Sequence, residues 1–213
     1  MLIDGPDTAR ATIVLSHGAG APMDTPYMTT VAEGLAASGL RVVRFEFAYM
    51  ARRREDGKRR GPDRMPVLLE RWAEILDTLG PRRAPVLIGG KSMGGRSAAM
   101  FAAEAENRNP LDGVICLGYP FHPPGKPWKT RLEPLHAATA PTLILQGERD
   151  PFGKPAEIAG YDISDPVRIE WIPDGDHSFV PRKRSGHTEA ENLGLAVRLI
   201  TAFVDGVMTV SKS

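Results

Sequence analysis

Ser92 stands in Gly90-Lys91-Ser92-Met93-Gly94, a G-x-S-x-G pattern set directly between the apolar run Pro85-Val86-Leu87-Ile88-Gly89 and an alanine-rich helical stretch. A serine hydroxyl becomes a nucleophile when a base stands beside it and a third group orients that base. A sharp strand-to-helix turn holds such a serine above a sheet, and flanking glycines let strand and helix pass closely. For a nucleophile on this kind of turn the chain order is serine, acid, histidine. Asp150 follows the apolar run 142–146, and His177 follows the run 167–171, so each has its own strand-end loop. The expected chemistry is acyl transfer. Ser92 attacks a carbonyl, His177 takes and returns the proton, and Asp150 holds the imidazole in the required tautomer. The oxyanion needs two backbone N–H groups. Met93, just after the nucleophile, is one. Ala19, with Gly18 as its alternative, supplies the other from His17-Gly18-Ala19-Gly20-Ala21, where small residues let the backbone approach substrate.

Each assignment has a competitor. Glu148, Asp174 and Asp176 are other acids for the orienting role, and His122, after the fourth strand, is the strongest rival base. His136 and His187 read as surface residues, and His17 as a brace for its own loop. Gly90-Lys91-Ser92 also looks like the end of a phosphate-binding loop, but that motif requires glycine at position 85, where this chain has Pro85.

The elements that must position these residues are legible as short apolar runs alternating with helical patterns. Strands are expected at 11–16, 41–47, 85–89, 114–117, 142–146 and 167–171. Helices are expected over 29–38, over 67–79, from Met93 to about Glu106, and from Thr188 to about Val204, where Thr188 and Glu191 have capping-box spacing. Strands without polar alternation are apolar on both sides and belong in a mainly parallel sheet of about six strands with helices on both faces. Ligands of such sheets sit beyond the carboxyl ends of the strands. One domain spanning 1–213 is expected.

Composition narrows the function. With 27 Lys and Arg against 26 Asp and Glu, the chain carries no overall signal for nucleic acid or membrane. Arg52 to Arg60 is the exception. It reads as a solvated loop or as an anion-attracting rim, and it lacks the interleaved aromatics of a base-stacking surface. The one cysteine, Cys116, lies in an apolar run and reads as a buried strand residue, which agrees with a reducing compartment. No leader-like N-terminus and no apolar run near the roughly 20 residues of a membrane span is read, so a cytoplasmic location is expected. No metal is expected, because no cluster has ligand spacing. No organic cofactor is expected either.

Taken together, Ser16-His17-Gly18-Ala19-Gly20, Arg52-Arg53, Gly90 to Gly95, Gly118 to Pro127, Gln146 to Phe152 and Asp176 to Phe179 resemble the α/β-hydrolase superfamily, and within it the branch of dienelactone-hydrolase-like proteins and the Tex30/KANL3-type hydrolase-like domain. The resemblance spans nearly the whole chain. Tyr119-Pro120-Phe121-His122-Pro123-Pro124-Gly125-Lys126-Pro127 is its most specific stretch. It implies an α/β-hydrolase fold and a triad on Ser92, Asp150 and His177. Some relatives serve in larger assemblies, and the fold by itself does not guarantee turnover.

Only residues 119–140 are available for a cap, so no large cap domain is expected and the site should be open. Tyr119, Phe121, His122 and Trp128 are expected to form one wall, with Arg52 and Arg53 on the rim. The expected substrate is a small ester or thioester, with an acidic group as a further hypothesis. The alternatives are a peptidase or lactone hydrolase using the same triad, and a catalytically silent interaction module. A homodimer is compatible with the sequence.

Overall fold

The computed structural model of the protein describes residues 1–81, 84–104 and 111–210. Seven strands form one sheet: β1 (Leu2–Asp4), β2 (Thr12–Ser16), β3 (Arg41–Phe45), β4 (Val86–Lys91), β5 (Gly113–Leu117), β6 (Thr142–Gly147) and β7 (Val167–Ile172). Their order is β1-β3-β2-β4-β5-β6-β7, parallel throughout except for β1, which pairs antiparallel with β3. The helices are α1 (Pro26–Ala37), α2 (Ala48–Asp56), α3 (Met65–Thr78), α4 (Met93–Glu104), α5 (Glu133–His136), α6 (Pro155–Ile158) and α7 (Glu189–Val210).

Strand side chains alternate between two cores because successive residues face opposite sides of a sheet. Ile13, Leu15, Leu87, Ile115 and Leu143 pack with Met28, Val31 and Leu35 of α1 and with Leu193, Ala196 and Ile200 of α7. Val14, Val43, Ile88, Val114 and Ile144 pack with Leu68 and Trp72 of α3 and Ala98 of α4. Both faces are covered, which is why the strands read as continuous apolar runs. Helix starts follow local chemistry. Thr25 Oγ1 accepts from Met28 N at 3.3 Å and Pro26 opens α1. At α7, Thr188 Oγ1 accepts from Glu191 N at 3.2 Å while Glu191 Oε2 accepts from Thr188 N at 2.8 Å, the reciprocal pair of a capping box.

Several expectations change. The sheet has seven strands, because the short, largely exposed edge strand β1 has no apolar pattern to read. Residues 52–56, expected in a loop, belong to α2, which ends at Gly57 with φ 68°. That helix buries only Tyr49 and Met50, too little to show periodicity. The expected end of α4 near Glu106 lies outside the described residues. α7 is long and apolar enough to cross a membrane by length and composition, contrary to the reading that nothing approaches that length. In this fold its Leu193-Ala196-Ile200-Val204 stripe lies in the core.

Candidate active site

Strand β4 ends at Lys91 and helix α4 begins at Met93, so Ser92 alone makes the turn. Its φ is 52°, in the left-handed region that non-glycine residues avoid. Backbone strain of this kind costs about 1–3 kcal/mol and persists where surrounding contacts impose it. Ser92 N donates to Leu117 O at 3.0 Å, tying the turn to the end of β5. Gly94 makes the close passage possible, since a Cβ there would stand 2.5 Å from Ser16 Oγ and 2.7 Å from His17 O.

Asp150 and His177 meet from the loops after β6 and β7. His177 Nδ1 lies 2.7 Å from Asp150 Oδ2, and the carboxylate is fully buried. A carboxylate only accepts, so Nδ1 carries the proton and the neutral ring leaves Nε2 bare. Asp150 is held in turn: Gln146 Nε2 donates to Oδ2 at 3.0 Å and Phe152 N to Oδ1 at 2.9 Å. The Phe152 ring lies against the imidazole, centroids 4.4 Å apart. Among the described residues Ser92 Oγ holds no hydrogen bond. Nucleophile–base contacts of this kind often tighten only with substrate bound.

The competing acids are engaged elsewhere. Glu148 Oε2 accepts from Asp174 N, Asp174 pairs with Arg182, and Asp176 Oδ1 accepts from Ser178 N and Val180 N. Asp174 is held down to about 2 by the Arg182 guanidinium. His122 is buried, with Nδ1 2.9 Å from Pro123 O and Nε2 3.4 Å from Glu157 Oε2. His17 accepts from Phe47 N through Nε2 at 3.1 Å, so its Nδ1 is the donor to Gly18 O at 2.7 Å. Burial lowers its pKa and keeps it neutral. Both ring nitrogens are spent on bracing the 17–21 loop.

That loop lies over the nucleophile turn. A Cβ at Gly18 would stand 3.6 Å from Lys91 O and 3.9 Å from Ser92 Cβ. Tyr49 Oη donates to Ala19 O at 3.0 Å, which fixes the peptide on the side opposite to the Ala19 N–H. Met93 is the first residue of α4, so its N–H has no acceptor within the helix.

The expected wall of Tyr119, Phe121 and His122 does not form. Tyr119 and Phe121 are fully buried. Tyr119 Oη donates to Arg131 O at 2.8 Å, and its ring packs against Phe121 with centroids 4.9 Å apart. The chain turns them into the core beside α5 and α6, away from solvent. Trp128 is instead exposed. Arg52 is taken up by Asp63 at 3.1 Å, and Arg54 by Asp24 at 2.8 Å and Glu46 at 2.6 Å. Arg53 remains near the site. With Ala19, Gly20, Arg59, Arg60 and Pro62 it lines an open cleft of about 440 Å³. Gln146, Phe152, Lys91 and Tyr27 complete the surroundings of the Asp150–His177 pair, and none was singled out from sequence. Gln146 and Phe152 were readable in principle, four residues before and two after the acid. Among the described residues no group of three His, Cys, Asp or Glu is placed to hold a metal ion.

Residues 9–205 match a family model described as an alpha/beta hydrolase domain. Among solved structures, the chain is similar to dienelactone hydrolase from Anabaena variabilis, with 24% identity, a TM-score of 0.72, and coverage of 94% of this chain and 88% of that one. It is similar to Est1E from Butyrivibrio proteoclasticus with ferulic acid bound, at 15% identity and TM-score 0.70, covering 98% and 94%. It is also similar to a monoacylglycerol lipase from Paleococcus ferrophilus, at 14% identity and TM-score 0.66, covering 95% and 98%. At these identities the structural likenesses carry the fold.

Proposed function

The chain belongs to the α/β-hydrolase family, and from that premise we propose that it is a serine hydrolase acting on small esters or thioesters through Ser92, His177 and Asp150. One observation carries the reading: the 2.7 Å His177–Asp150 bond at the sheet edge where Ser92 sits at φ 52°. In the proposed reaction Nε2 of His177 takes the Ser92 proton as Oγ bonds to the substrate carbonyl carbon. The Met93 and Ala19 N–H groups receive the oxyanion. His177 then gives its proton to the departing alkoxide or thiolate, leaving an acyl-serine. A water attacks that ester, His177 takes the water's proton and returns it to Ser92 Oγ, and the acid leaves. Asp150 stays ionised and stabilises the imidazolium.

The arginine-lined cleft supports a substrate bearing an acidic group. Arg60 is paired with Asp56, whereas among the described residues the side chains of Arg53 and Arg59 hold no hydrogen bond or ion pair. Est1E, with ferulic acid bound, sets the scale of a small carboxylic acid. Hydrolysis of a panel of neutral and carboxylate-bearing esters, thioesters and lactones tests this reading. Turnover is expected for at least one class and is lost in Ser92→Ala. In Arg53→Gln/Arg59→Gln, kcat/KM for acidic esters should fall about tenfold or more while neutral esters are unaffected, a charged hydrogen bond being worth about 1.5–3 kcal/mol. No turnover across the panel by folded wild type overturns the enzyme reading. Equal losses on acidic and neutral esters overturn the acidic-group clause.

A further inference from the structure

Behind the imidazole lies a cation that the acyl-transfer scheme does not use. Lys91 is the last residue of β4 and the immediate neighbour of Ser92. Its side chain turns inward. Nζ donates to the backbone carbonyl of His177 and stands 5.6 Å from the centroid of the Tyr27 ring. Gly118, at the end of β5, leaves room for this arrangement. A Cβ there would come within 3.0 Å of Lys91 Nζ, 3.1 Å of His177 O and 3.2 Å of His177 Nδ1. The ammonium and the imidazole therefore occupy one compartment.

The titratable groups facing Nζ come from three elements: Tyr27 from α1, Asp150 from the loop after β6, and Asp176 with His177 from the loop after β7. Among the described residues neither carboxylate forms an ion pair with Nζ. Burial pulls the amine down to about 8, against the opposing pull of Asp150 and Asp176. A desolvated ammonium costs stability that an apolar side chain of similar length would not. The feature therefore needs an explanation beyond packing.

We propose that Lys91 is a positioning residue for the general base: its ammonium pins the His177 main chain to the strand end that carries Ser92, and its charge stands against the imidazole. The proposal rests on the reading of Ser92 and His177 as nucleophile and base. Lys91, the anchor of His177, is the last residue of β4 and Ser92 follows it directly, so the separation of nucleophile and base is set by one strand end and not by two independent loops.

Two variants test it. Lys91→Met removes both the donor and the charge, while Lys91→Gln keeps a donor without the charge. For Lys91→Met, kcat on the best ester is expected to fall about 10- to 100-fold with KM within about twofold, the scale of a misplacement near 1 Å. Lys91→Gln should recover part of that loss. In both variants the acid limb of the kcat/KM profile should move to higher pH by about half a unit or more, because removing a nearby cation favours the protonated ring. The same displacement should appear in the pH titration of the His177 ring resonances. That reading needs no turnover, so it separates failure of this proposal from failure of the hydrolase reading. If Lys91→Met does not fold, Lys91→Gln carries the test alone. Wild-type kcat in both variants would overturn the proposal. So would a loss of kcat with the acid limb and ring titration unmoved, which would make Lys91 a structural brace only.

Discussion

Replacing Asp150 with asparagine should disable the site while leaving the fold intact. In the wild type three donors converge on a buried acceptor: His177 Nδ1 at 2.7 Å and Gln146 Nε2 at 3.0 Å on Oδ2, and Phe152 N at 2.9 Å on Oδ1. Asparagine brings one oxygen and one NH₂. With its oxygen toward His177, the NH₂ is driven against the Phe152 N–H, and a buried donor goes unpaired at about 1–3 kcal/mol. With its NH₂ toward His177, Gln146 accommodates it by flipping. Gln146 Oε1 is buried without a partner, so the flip offers it to the new NH₂ at the cost of the 3.3 Å bond to Gly153 O and of moving the Gln146 NH₂ to the buried position where Oε1 had no partner. The remaining donor–donor contact, with His177 Nδ1–H, is relieved when the proton moves to Nε2. That tautomer cannot accept the Ser92 proton. The preference for it is at most about 150-fold on the figures above, and loss of the charged hydrogen bond to the imidazolium adds about 1.5–3 kcal/mol. Together they lower reactivity about 10- to 10⁴-fold, and the general serine–histidine–aspartate template lies at the upper end. The assay is the second-order rate of fluorophosphonate inactivation alongside kcat/KM, with a thermal melt to confirm folding. A folded Asp150→Asn variant reacting within about fivefold of wild type would refute the reasoning.

Two further outcomes are expected. Gly94→Ala should lose activity and lower Tm, because its Cβ would meet Ser16 Oγ and His17 O inside van der Waals contact, and overpacking of this kind costs about 1–3 kcal/mol or more; a variant with wild-type Tm and activity contradicts the close passage. Lys91 should leave a signature in stability against pH. Its amine titrates at about 8 folded and at 10.5 ordinarily, so between these values the unfolded chain binds more protons and stability rises with pH. The wild-type minus Lys91→Met difference in unfolding free energy should rise by up to about 3 kcal/mol across that window, and a flat difference refutes it.

How legible the molecule was in its sequence varies with what each residue touches. The order Ser92, Asp150, His177 was readable because Ser92 and Asp150 follow runs apolar on both faces and His177 follows the alternating run 167–171 of the edge strand, and parallel strands place their ends at one edge of a sheet. The mostly parallel sheet followed from the same runs. Tyr119 and Phe121 misled because aromatics after a strand read alike whether they face solvent or core. Their direction is set by contacts from elsewhere in the chain, such as Arg131 O and Tyr161. The arginines of 52–60 were visible as a basic stretch, but which remain unpaired depends on Asp24, Glu46, Asp56 and Asp63 reaching them. Lys91 occupied a variable position inside a motif. Its inward turn is visible only once a loop 86 residues later places the His177 carbonyl above it.

The most direct measurement is labelling of the purified chain with a fluorophosphonate probe, with the modified peptide located by mass spectrometry beside Ser92→Ala and His177→Ala. The expected result is a single phosphonylated site at Ser92, absent from Ser92→Ala and formed far more slowly in His177→Ala. An unlabelled wild type shown to be folded, or labelling that survives Ser92→Ala, would contradict the assignment of Ser92 as an activated nucleophile.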